Sequence, residues 1–344
     1  MKISVCITVK NEEKTVGDLL TSLLGQSLKP DEIVVVDGCS SDKTFAILRH
    51  LAKKDKRIKI VREPGSIAHG RNTGIEVANN DIVVTTDAGC IPHPDWLEKI
   101  TEPFLIHLGG DPAAAGPPSE EYTEVSIVSH SRGGIGVVAG FYEMPAKNSF
   151  QKAAGVYLGV PPERFDPQKF LPSTRSVAFR KSVWEDLGGF NEKLQKGAED
   201  SDFFYRCVKK SVKIVRVGEA RVDWKEIENI SFKEAMRKFF NYAKGDVQSK
   251  IWRHPFKTIT SHNIKVILIF IRYFVGLILL VFSVFNPASL VLLVILAILY
   301  LLWPIYKWRD VIFDWKARLW LPVIQISSDF AVMSGFIRGI FSRK

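Results

Sequence analysis

Polar side chains follow four short apolar runs within residues 1–90, and their types suit ligand binding. Carboxylates at such places can accept hydrogen bonds from a nucleoside, or bind a hard divalent cation, which prefers oxygen ligands. Asp87 is either a residue of this kind or only the polar start of a turn. The four polar ends are Lys10-Asn11-Glu12, Asp37-Gly38, Arg62-Glu63 and Asp87-Ala88-Gly89.

A second acidic cluster, Glu199-Asp200-Ser201-Asp202, follows the glycine-rich stretch 188–197. A carboxylate in this place can act as a general base that removes a proton from an attacking hydroxyl group. Acidic residues at the start of a helix are also favourable without any catalytic role, because they interact with the positive end of the helix dipole. The residue types leave both interpretations of Asp200 open.

The elements that must position these residues alternate between β-branched runs and helical stretches over residues 1–100. Nearly continuous apolar strands between helices are typical of a parallel sheet covered on both faces. Open α/β sheets bind ligands beyond the carboxyl ends of their strands, so we expect the four polar ends to line one crevice. The predicted strands are 3–9, 32–38, 57–63 and 81–87, and the predicted helices are 12–26, 41–54 and 68–80.

Two long apolar runs, 266–285 and 288–303, are separated only by Asn286-Pro287. About 20 apolar residues cross the hydrocarbon core of a bilayer, so the runs predict a hairpin of two transmembrane helices. The alternative is a buried helical hairpin of a soluble protein. Basic residues flank both runs, which by the positive-inside rule predicts a cytoplasmic N-terminal domain. They are Lys250, Arg253, Lys257, Lys265, Lys307, Arg309, Lys316 and Arg318.

Two further segments flank this hairpin. Residues 231–246 place apolar side chains on one helical face and basic ones on the other, which suits an interfacial helix on anionic lipid. An ordinary helix packed on its own domain is the alternative. Residues 319–341 are apolar but contain Pro322, Asp329 and Arg338, so an interfacial or re-entrant helix is favoured over a third span.

The chain of 344 residues carries a net charge of +10, which indicates an anionic partner, either nucleic acid or a membrane surface. Nucleic-acid binding is not expected, since the sequence has no recognisable binding motif and the membrane flanks account for much of the charge. Four scattered cysteines, without paired spacing, indicate reduced thiols in a cytosolic compartment.

Five stretches in chain order resemble glycosyltransferase family 2: ITVKNEE, EIVVVDGCSSDKT, AHGRNTGIEVA, DIVVTTDAGC and AEDSDFFYR. The resemblance covers roughly residues 1–225. It implies an α/β fold of GT-A type, a nucleotide-binding mixed sheet flanked by helices, followed here by the C-terminal transmembrane hairpin. It also implies transfer of a sugar from a nucleotide-sugar with inversion. The hairpin more loosely resembles members that act on lipid-linked acceptors.

The resemblance also implies roles for individual residues. Asp37 would bind the base, because its carboxylate can accept the N3–H of uracil or the N1–H of guanine. Arg71 would lie near the nucleotide, where its planar guanidinium donates several hydrogen bonds at once. Asp200 matches the catalytic base of the family. The predicted nucleotide-sugar-binding residues are Thr8, Lys10, Asn11, Glu12, Asp37, Arg71 and Asp87.

The predicted metal site is incomplete. Family members usually show Asp-x-Asp where this chain has Asp87-Ala88-Gly89, and those carboxylates bind the ribose and a divalent cation on the diphosphate. Mg²⁺ or Mn²⁺ would offset the charge that develops on the leaving phosphate. Because Gly89 replaces a carboxylate, we expect either a weakly held cation at Asp87 or charge compensation by Arg71 and other cations.

The acceptor decides whether a base is needed. A sugar hydroxyl must lose a proton, whereas a polyprenyl phosphate is already ionised and instead needs cations that reduce its repulsion from the donor. Arg175, Arg180 and Lys181 are candidates for that role.

The favoured function is a membrane-bound glycosyltransferase that uses a UDP- or GDP-sugar and a lipid-borne acceptor at the cytoplasmic face of the cell membrane. Alternatives are extension of a cell-surface polysaccharide or glycolipid, and a catalytically silent nucleotide-sugar-binding scaffold. The predicted domains are 1–230 (catalytic), 231–262 (interfacial helix and linker), 263–306 (two transmembrane helices) and 307–344 (interfacial or re-entrant segment).

Overall fold

A computed structural model of the chain describes residues 1–106, 134–194, 198–250 and 262–342. The chain divides into two compact units. The α/β unit comprises Met1–Glu143 and Phe165–Glu226, and the helical unit comprises Met144–Arg164 and Ile227–Lys344. The α/β unit thus ends close to the predicted boundary at residue 230. Residues 144–164 lie in the helical unit, and the predicted domain bounds stay a prediction.

An eight-stranded mixed sheet forms the centre of the α/β unit, in the order β3-β2-β1-β4-β7-β6-β8-β5. The first four strands in this order are parallel, β7 is antiparallel to both of its neighbours, and β6 and β8 are parallel. The strands are β1 (Ile3–Val9), β2 (Glu32–Asp37), β3 (Ile58–Arg62), β4 (Ile82–Thr85), β5 (Cys90–Pro92), β6 (Val137–Glu143), β7 (Val177–Arg180) and β8 (Ile214–Trp224).

Helices flank this sheet and also build the helical unit, to which α5 and α8 to α11 belong. Together with the strands they confirm the predicted class, a mixed α/β sheet followed by long apolar helices. The helices are α1 (Val16–Leu24), α2 (Thr44–Lys54), α3 (Ile67–Val77), α4 (Trp96–Ile106), α5 (Ser149–Leu158), α6 (Lys181–Asp186), α7 (Glu199–Lys209), α8 (Phe232–Gln248), α9 (His262–Phe282), α10 (Pro287–Lys307) and α11 (Trp315–Phe341).

The apolar runs of the sequence become the buried strands of the sheet. Every residue of β2 and β4 is buried, as expected for central strands that are covered on both faces. In α1 the leucines at 19, 20 and 23 are buried together with Val16, so the helical spacing of these side chains places them on the core. The local pattern therefore predicts which face of each element is buried.

Helices α8 and α11 of the helical unit lie in backbone contact. A Cβ atom built at Gly335 would lie 2.2 Å from the carbonyl oxygen of Phe240, and one at Gly339 would lie 2.9 Å from that of Lys244. Small residues four apart allow such close approach of two helices. The apolar face of α8 includes the buried Phe239. The interfacial assignment of residues 231–246 stays a prediction.

Within the part of the chain that the structure describes, three helices are long and apolar enough to cross a membrane: Asn263–Phe282, Pro287–Lys307 and Trp315–Phe341. The first two match the predicted hairpin, with mean hydropathy values of 2.5 and 2.6, and their apolar side chains are largely exposed. Asn286 caps α10 by accepting a hydrogen bond from Ala288 N, and Pro287 occupies its first position. The third has a lower hydropathy of 1.3, which agrees with its polar residues.

A buried carboxylate ties α11 to both helices of the hairpin. Asp329 is 2% exposed and accepts hydrogen bonds from Arg272 Nη2 at 2.5 Å, from Tyr273 Oη at 3.1 Å and from Tyr300 Oη. A charge among apolar helices is tolerated when it is paired and hydrogen-bonded. Arg272 in the first apolar run and Asp329 in residues 319–341 therefore neutralise each other's charge.

The close contact between α8 and α11 predicts that Gly335→Ala destabilises the helical unit. The added methyl group would overlap Phe240 O, so the helices must separate, at a cost of about 1–3 kcal/mol. The measurement is the midpoint of thermal unfolding in detergent. Gly276→Ala is the control, because its Cβ would lie 3.9 Å from the nearest side-chain atom, on Leu293. Equal midpoints for the two variants would contradict the close packing.

Candidate functional site

The parallel strands bring the predicted polar ends to one edge of the sheet. Val9 at the end of β1 is in register with Asp37 at the end of β2, and Cys6 is in register with Thr85 at the end of β4. Asp37 is likewise in register with Arg62 at the end of β3. The chain segments that follow these strands therefore start from the same edge, as the sequence predicts.

The end of β1 is organised by the loop that follows β2. Asn11 adopts a positive φ of 57°, which asparagine tolerates better than most residues, and its Oδ1 accepts a hydrogen bond from Ser41 N at 2.9 Å. Asn11 N donates to Ser40 Oγ and Glu12 N donates to Thr44 Oγ1. Both residues thus hold two loops together at the predicted nucleotide site.

Asp37 is fully buried and its two carboxylate oxygens have different surroundings. Oδ1 accepts hydrogen bonds from the backbone N–H and the hydroxyl group of Ser40. Oδ2 has no hydrogen-bond donor among the described residues, and the nearest cationic atom is Arg62 Nε at 3.4 Å. A buried acceptor without a donor is costly, so Oδ2 suits a ligand N–H group.

Arg71 is the centre of a buried network at the same edge of the sheet. Its Nη1 donates to Glu199 Oε1 at 2.7 Å, and its Nη2 donates to Asp87 Oδ1 at 2.9 Å and to Thr174 Oγ1 at 2.8 Å. Its side chain is only 7% exposed, so Arg71 does not face solvent. Arg71 thus joins α3, the turn after β4, the start of α7 and the loop before β7.

The position of Arg71 depends on a close approach of α3 to β1. A Cβ atom at Gly70 would lie 2.5 Å from Thr8 Cγ2, so only glycine allows this spacing between helix and strand. Thr8 is therefore placed directly beneath the helix that carries Arg71. Its predicted role in nucleotide binding stays a prediction.

Asp87 is ionised within this network. Burial raises the pKa of a carboxyl group, but the positive charges of Arg71 and Arg175 outweigh that effect and hold the pKa of Asp87 below its usual range. Asp87 is consequently more than the polar start of a turn, although Cys90 N does donate to its carbonyl oxygen.

The pKa of Asp200 is raised, whereas that of Asp87 is lowered. Burial and the adjacent negative charge of Glu199 raise its pKa above the usual value of 3.8, against the opposing charges of Arg71 and Arg175. Its Oδ2 lies 3.5 Å from the hydroxyl group of Ser173. A carboxylate of raised pKa accepts a proton more readily, which is the property that a general base requires.

Arg175 lies on an aromatic platform beside Asp200. Its guanidinium carbon is 3.8 Å from the ring centre of Trp224 and 5.2 Å from that of Tyr142. Its Nη1 donates to Ser173 Oγ at 3.0 Å, so Ser173 contacts both Arg175 and Asp200. Stacking on a ring fixes the plane of a guanidinium and leaves its charge in place.

The structure separates Arg180 from these residues. Because β7 is antiparallel to β4, Val177 is in register with Thr85, whereas Arg180 is in register with Ile82 at the opposite end of β4. Arg180 Nε donates to Ile135 O at 2.9 Å. Its predicted role in acceptor binding stays a prediction from the sequence.

Two residues of the network are not among the predicted site residues. Glu199 adjoins Asp200 in the same acidic cluster, and nothing in the sequence distinguishes the carboxylate that pairs with Arg71 from the one beside Ser173. Thr174 precedes Arg175 in a stretch chosen only for its basic residues. The signal that separates these neighbours is their contact with Arg71, more than 100 residues away in the chain.

The ligands around Asp87 do not fit a tightly bound divalent cation. Asp87 offers one carboxylate, one oxygen of which is paired with Arg71, and Gly89 offers no side-chain ligand. A separate group of His93, Glu143 and Asp223 has ligand atoms within 4.8 Å of one another. Its carboxylates already form ion pairs with Arg221 at 2.9 Å and with Lys225 at 3.1 Å.

Residues 4–110 match the sequence model of glycosyl transferase family 2. The chain spans only 29% to 40% of the length of five of the curated relatives that it matches. One of these is a dolichyl N-acetyl-α-D-glucosaminyl phosphate 3-β-D-2,3-diacetamido-2,3-dideoxy-β-D-glucuronosyltransferase of Methanococcus voltae. It is 32% identical over 119 residues, which are 33% of this chain and 37% of that protein.

A longer match is to the putative teichuronic acid biosynthesis glycosyltransferase TuaG of Bacillus subtilis. It is 26% identical over 261 residues, which cover 72% of this chain and 97% of that protein.

Among solved structures, a mannosyltransferase of Pyrobaculum calidifontis in complex with GDP-Man and Mn²⁺ has the same fold. The TM-score is 0.61 at 18% identity, and the match covers 100% of this chain and 88% of that chain. At this identity the likeness establishes the fold and not the ligand. Residues 4–110 are thus similar to glycosyl transferase family 2, and the sheet topology and this likeness together show a GT-A-like fold.

Proposed function

We propose that the protein is a membrane-attached, inverting glycosyltransferase that moves a sugar from a UDP- or GDP-sugar to a lipid-borne acceptor. The observation that carries this proposal is the arrangement of Asp37, the Arg71–Asp87 pair and Asp200 around the carboxyl ends of parallel strands, in a chain with a long apolar hairpin. Open α/β sheets bind nucleotides at such ends.

The donor nucleotide would bind with its base at Asp37. The buried Oδ2 atom suits the N3–H of uracil or the N1–H of guanine, and that hydrogen bond would satisfy an acceptor that lacks a donor in the described protein. The residues at the end of β1 that support the nucleotide are Thr8, Lys10, Asn11 and Glu12. Asp87 would face the ribose or the diphosphate.

In the transfer step, an acceptor oxygen attacks the anomeric carbon as the bond from that carbon to the phosphate oxygen breaks. If the acceptor is a sugar hydroxyl, its proton passes to Asp200, whose raised pKa suits this role. If the acceptor is a lipid phosphate, it is already ionised and Asp200 is not needed as a base. Arg175 lies beside Asp200 through Ser173, where the acceptor and the donor must meet.

A divalent cation, Mg²⁺ or Mn²⁺, would be held weakly at Asp87, because Gly89 supplies no second carboxylate. When bound, such an ion neutralises charge on the diphosphate. The Pyrobaculum enzyme contains Mn²⁺, which supports the general cofactor class.

The hairpin α9–α10 would anchor the protein in the cell membrane, with α11 as an interfacial or re-entrant helix. The basic residues around the hairpin favour a cytoplasmic catalytic unit by the positive-inside rule. Of these residues, Arg253 and Lys257 lie outside the described part of the chain. The similarity to the dolichyl N-acetyl-α-D-glucosaminyl phosphate glucuronosyltransferase of Methanococcus voltae supports a lipid-borne acceptor.

Extension of a cell-surface polysaccharide or glycolipid is the alternative that a specific observation favours. The match to TuaG covers nearly the whole of that protein and most of this chain. A catalytically silent nucleotide-sugar-binding scaffold has less support, since the raised pKa of Asp200 suits a general base.

Asp200→Asn is expected to lower transfer to a hydroxyl acceptor by roughly 10²–10⁴-fold while nucleotide binding persists. In the unsubstituted protein this activity should fall as the pH drops through the raised pKa of Asp200, because only the carboxylate accepts a proton. Initial rates measured from pH 4 to pH 8 test both effects. Asp202→Asn is the control, since Asp202 instead pairs with Arg206 on the same helix. Unchanged activity in Asp200→Asn would contradict the base assignment.

Asp37→Asn is expected to weaken donor binding by about 10–100-fold, because an amide cannot offer the same charged acceptor to the base. Thermal shifts with UDP- and GDP-sugars measure the loss and identify the nucleotide. Asp55→Asn is the matched control, because Asp55 lies at the opposite end of β3 and pairs with Arg57. Equal donor affinity in Asp37→Asn and the unsubstituted protein would remove Asp37 from the site.

A further inference from the structure

A histidine beside the buried network bridges two carboxylates. His69 lies on α3, two residues before Arg71, and its side chain is 30% exposed. Its Nε2 lies 3.0 Å from Oε1 of Glu63, which directly follows β3. Its Nδ1 lies 3.0 Å from Oε2 of Glu192, which precedes α7. The imidazole thus connects two segments that are far apart in the sequence.

The two contacts determine the charge of the ring. A carboxylate only accepts hydrogen bonds, and a neutral imidazole carries one N–H, so the neutral ring can satisfy one carboxylate and not both. Both contacts are hydrogen bonds only when both ring nitrogens are protonated. The hydrogen bonds to Glu63 and Glu192 accordingly raise the pKa of His69 above its usual value of 6.5. Among the described residues, these two are the titratable groups that face the ring.

The contact with Glu192 holds the segment that precedes α7. Glu192 Oε1 also accepts a hydrogen bond from Asn72 Nδ2 at 2.7 Å, and the same amide donates to Phe190 O at 2.9 Å. The ring of Phe190 stacks on that of Phe203 in α7, with the ring centres 4.5 Å apart. His69 therefore binds a segment that is packed against the helix of the proposed base.

The contact with Glu63 reaches the nucleotide end of the same sheet edge. Glu63 N donates to the carbonyl oxygen of Asp37 at 3.0 Å, so Glu63 is fixed beside the strand end that would bind the base. A Cβ atom at Gly65 would overlap His69 Cδ2, so the loop before α3 packs closely on the imidazole. Ser66 Oγ accepts a hydrogen bond from His69 N at 3.1 Å and caps α3. The surrounding backbone thus holds the ring between the two carboxylates.

We propose that His69, protonated at both ring nitrogens, is a positioning residue that fastens the segment before α7 to the end of β3, and that the transferase is fastest while this bridge is charged. The inference rests on the proposed glycosyltransferase function and adds a pH dependence to it. When the ring loses a proton, a lone pair faces one of the two carboxylates and that contact breaks. One of the two segments then loses its attachment to the ring.

The direction of the pH effect follows from the direction of the shift. A histidine whose pKa is raised in the folded protein stabilises it below the usual value of 6.5, and this contribution is lost as the pH rises through the raised pKa. Protonation of Asp200 limits the rate on the acidic side when the acceptor is a hydroxyl group. The two groups therefore act on opposite sides of a bell-shaped profile.

The first experiment follows the ring itself and needs no turnover. NMR of the histidine rings is measured from pH 5 to pH 9 on the full chain in detergent, and the His69 signal is identified by its absence in His69→Gln. We expect this signal to titrate above pH 6.5, because both carboxylates favour the charged ring. Titration at or below pH 6.5 would overturn the inference and leave the proposed function standing.

The second experiment measures initial rates of transfer and of donor hydrolysis over the same pH range, with UDP-glucose, UDP-GlcNAc and GDP-mannose as donors. We expect the unsubstituted protein to lose about three- to tenfold in rate on the alkaline side, since partly exposed ion pairs are modest in strength. His69→Gln should be slower at pH 6 and lack this alkaline loss. The control His50→Gln, on the exposed side of α2, should keep it.

An alkaline loss that persists unchanged in His69→Gln would overturn the inference. Absence of donor binding and turnover at every pH would instead overturn the proposed function, together with the link between His69 and activity. The ring titration would then still decide whether the bridge is charged, so the two failures are distinguishable.

Glu192→Gln gives the sharpest test. Its amide oxygen can still accept from Asn72, while its amide N–H can donate to an unprotonated Nδ1, so the bridge forms with a neutral ring. We expect the rate at pH 6 to fall and the rate at pH 9 to rise about threefold over that of the unsubstituted protein. Thermal unfolding at both pH values shows that the variant is folded. An equal loss of rate at both pH values would indicate a merely structural role and would overturn the inference.

Discussion

The buried guanidinium of Arg71 is the interaction on which the site depends. It joins four segments that are distant in the sequence, through Glu199, Asp87 and Thr174. A buried charge is tolerated only when it is paired, so these segments must be in place together for the fold to be stable. The position of Asp200 also depends on Arg71, because Arg71 holds Glu199 at the start of α7, the helix that carries Asp200. Structure and proposed catalysis therefore share one network.

The two arginines near Asp200 show how environment separates residues of one type. Arg71 is surrounded by acceptors, and its charge organises the protein. Arg175 instead stacks on the rings of Tyr142 and Trp224.

The helical unit follows the same physical rule in apolar surroundings. Asp329 would be costly among apolar helices, and its hydrogen bonds to Arg272, Tyr273 and Tyr300 remove that cost while connecting α9, α10 and α11. Gly335 lets α11 approach α8 closely. Asp329, one of the residues that make 319–341 an ambiguous span in the sequence, thus attaches α11 to α9 and α10.

The sequence by itself determined the elements, the parallel half of the sheet, the apolar hairpin and the strand-end position of Asp37 and Asp87, because hydrophobic periodicity is a local property of the chain. Only the tertiary structure decided which of Glu199 and Asp200 pairs with Arg71, and why Arg175 and Arg180 lie at opposite ends of β4. It also assigned residues 144–164 to the helical unit. These outcomes depend on strand direction and on contacts between residues far apart in the chain, which no local pattern records.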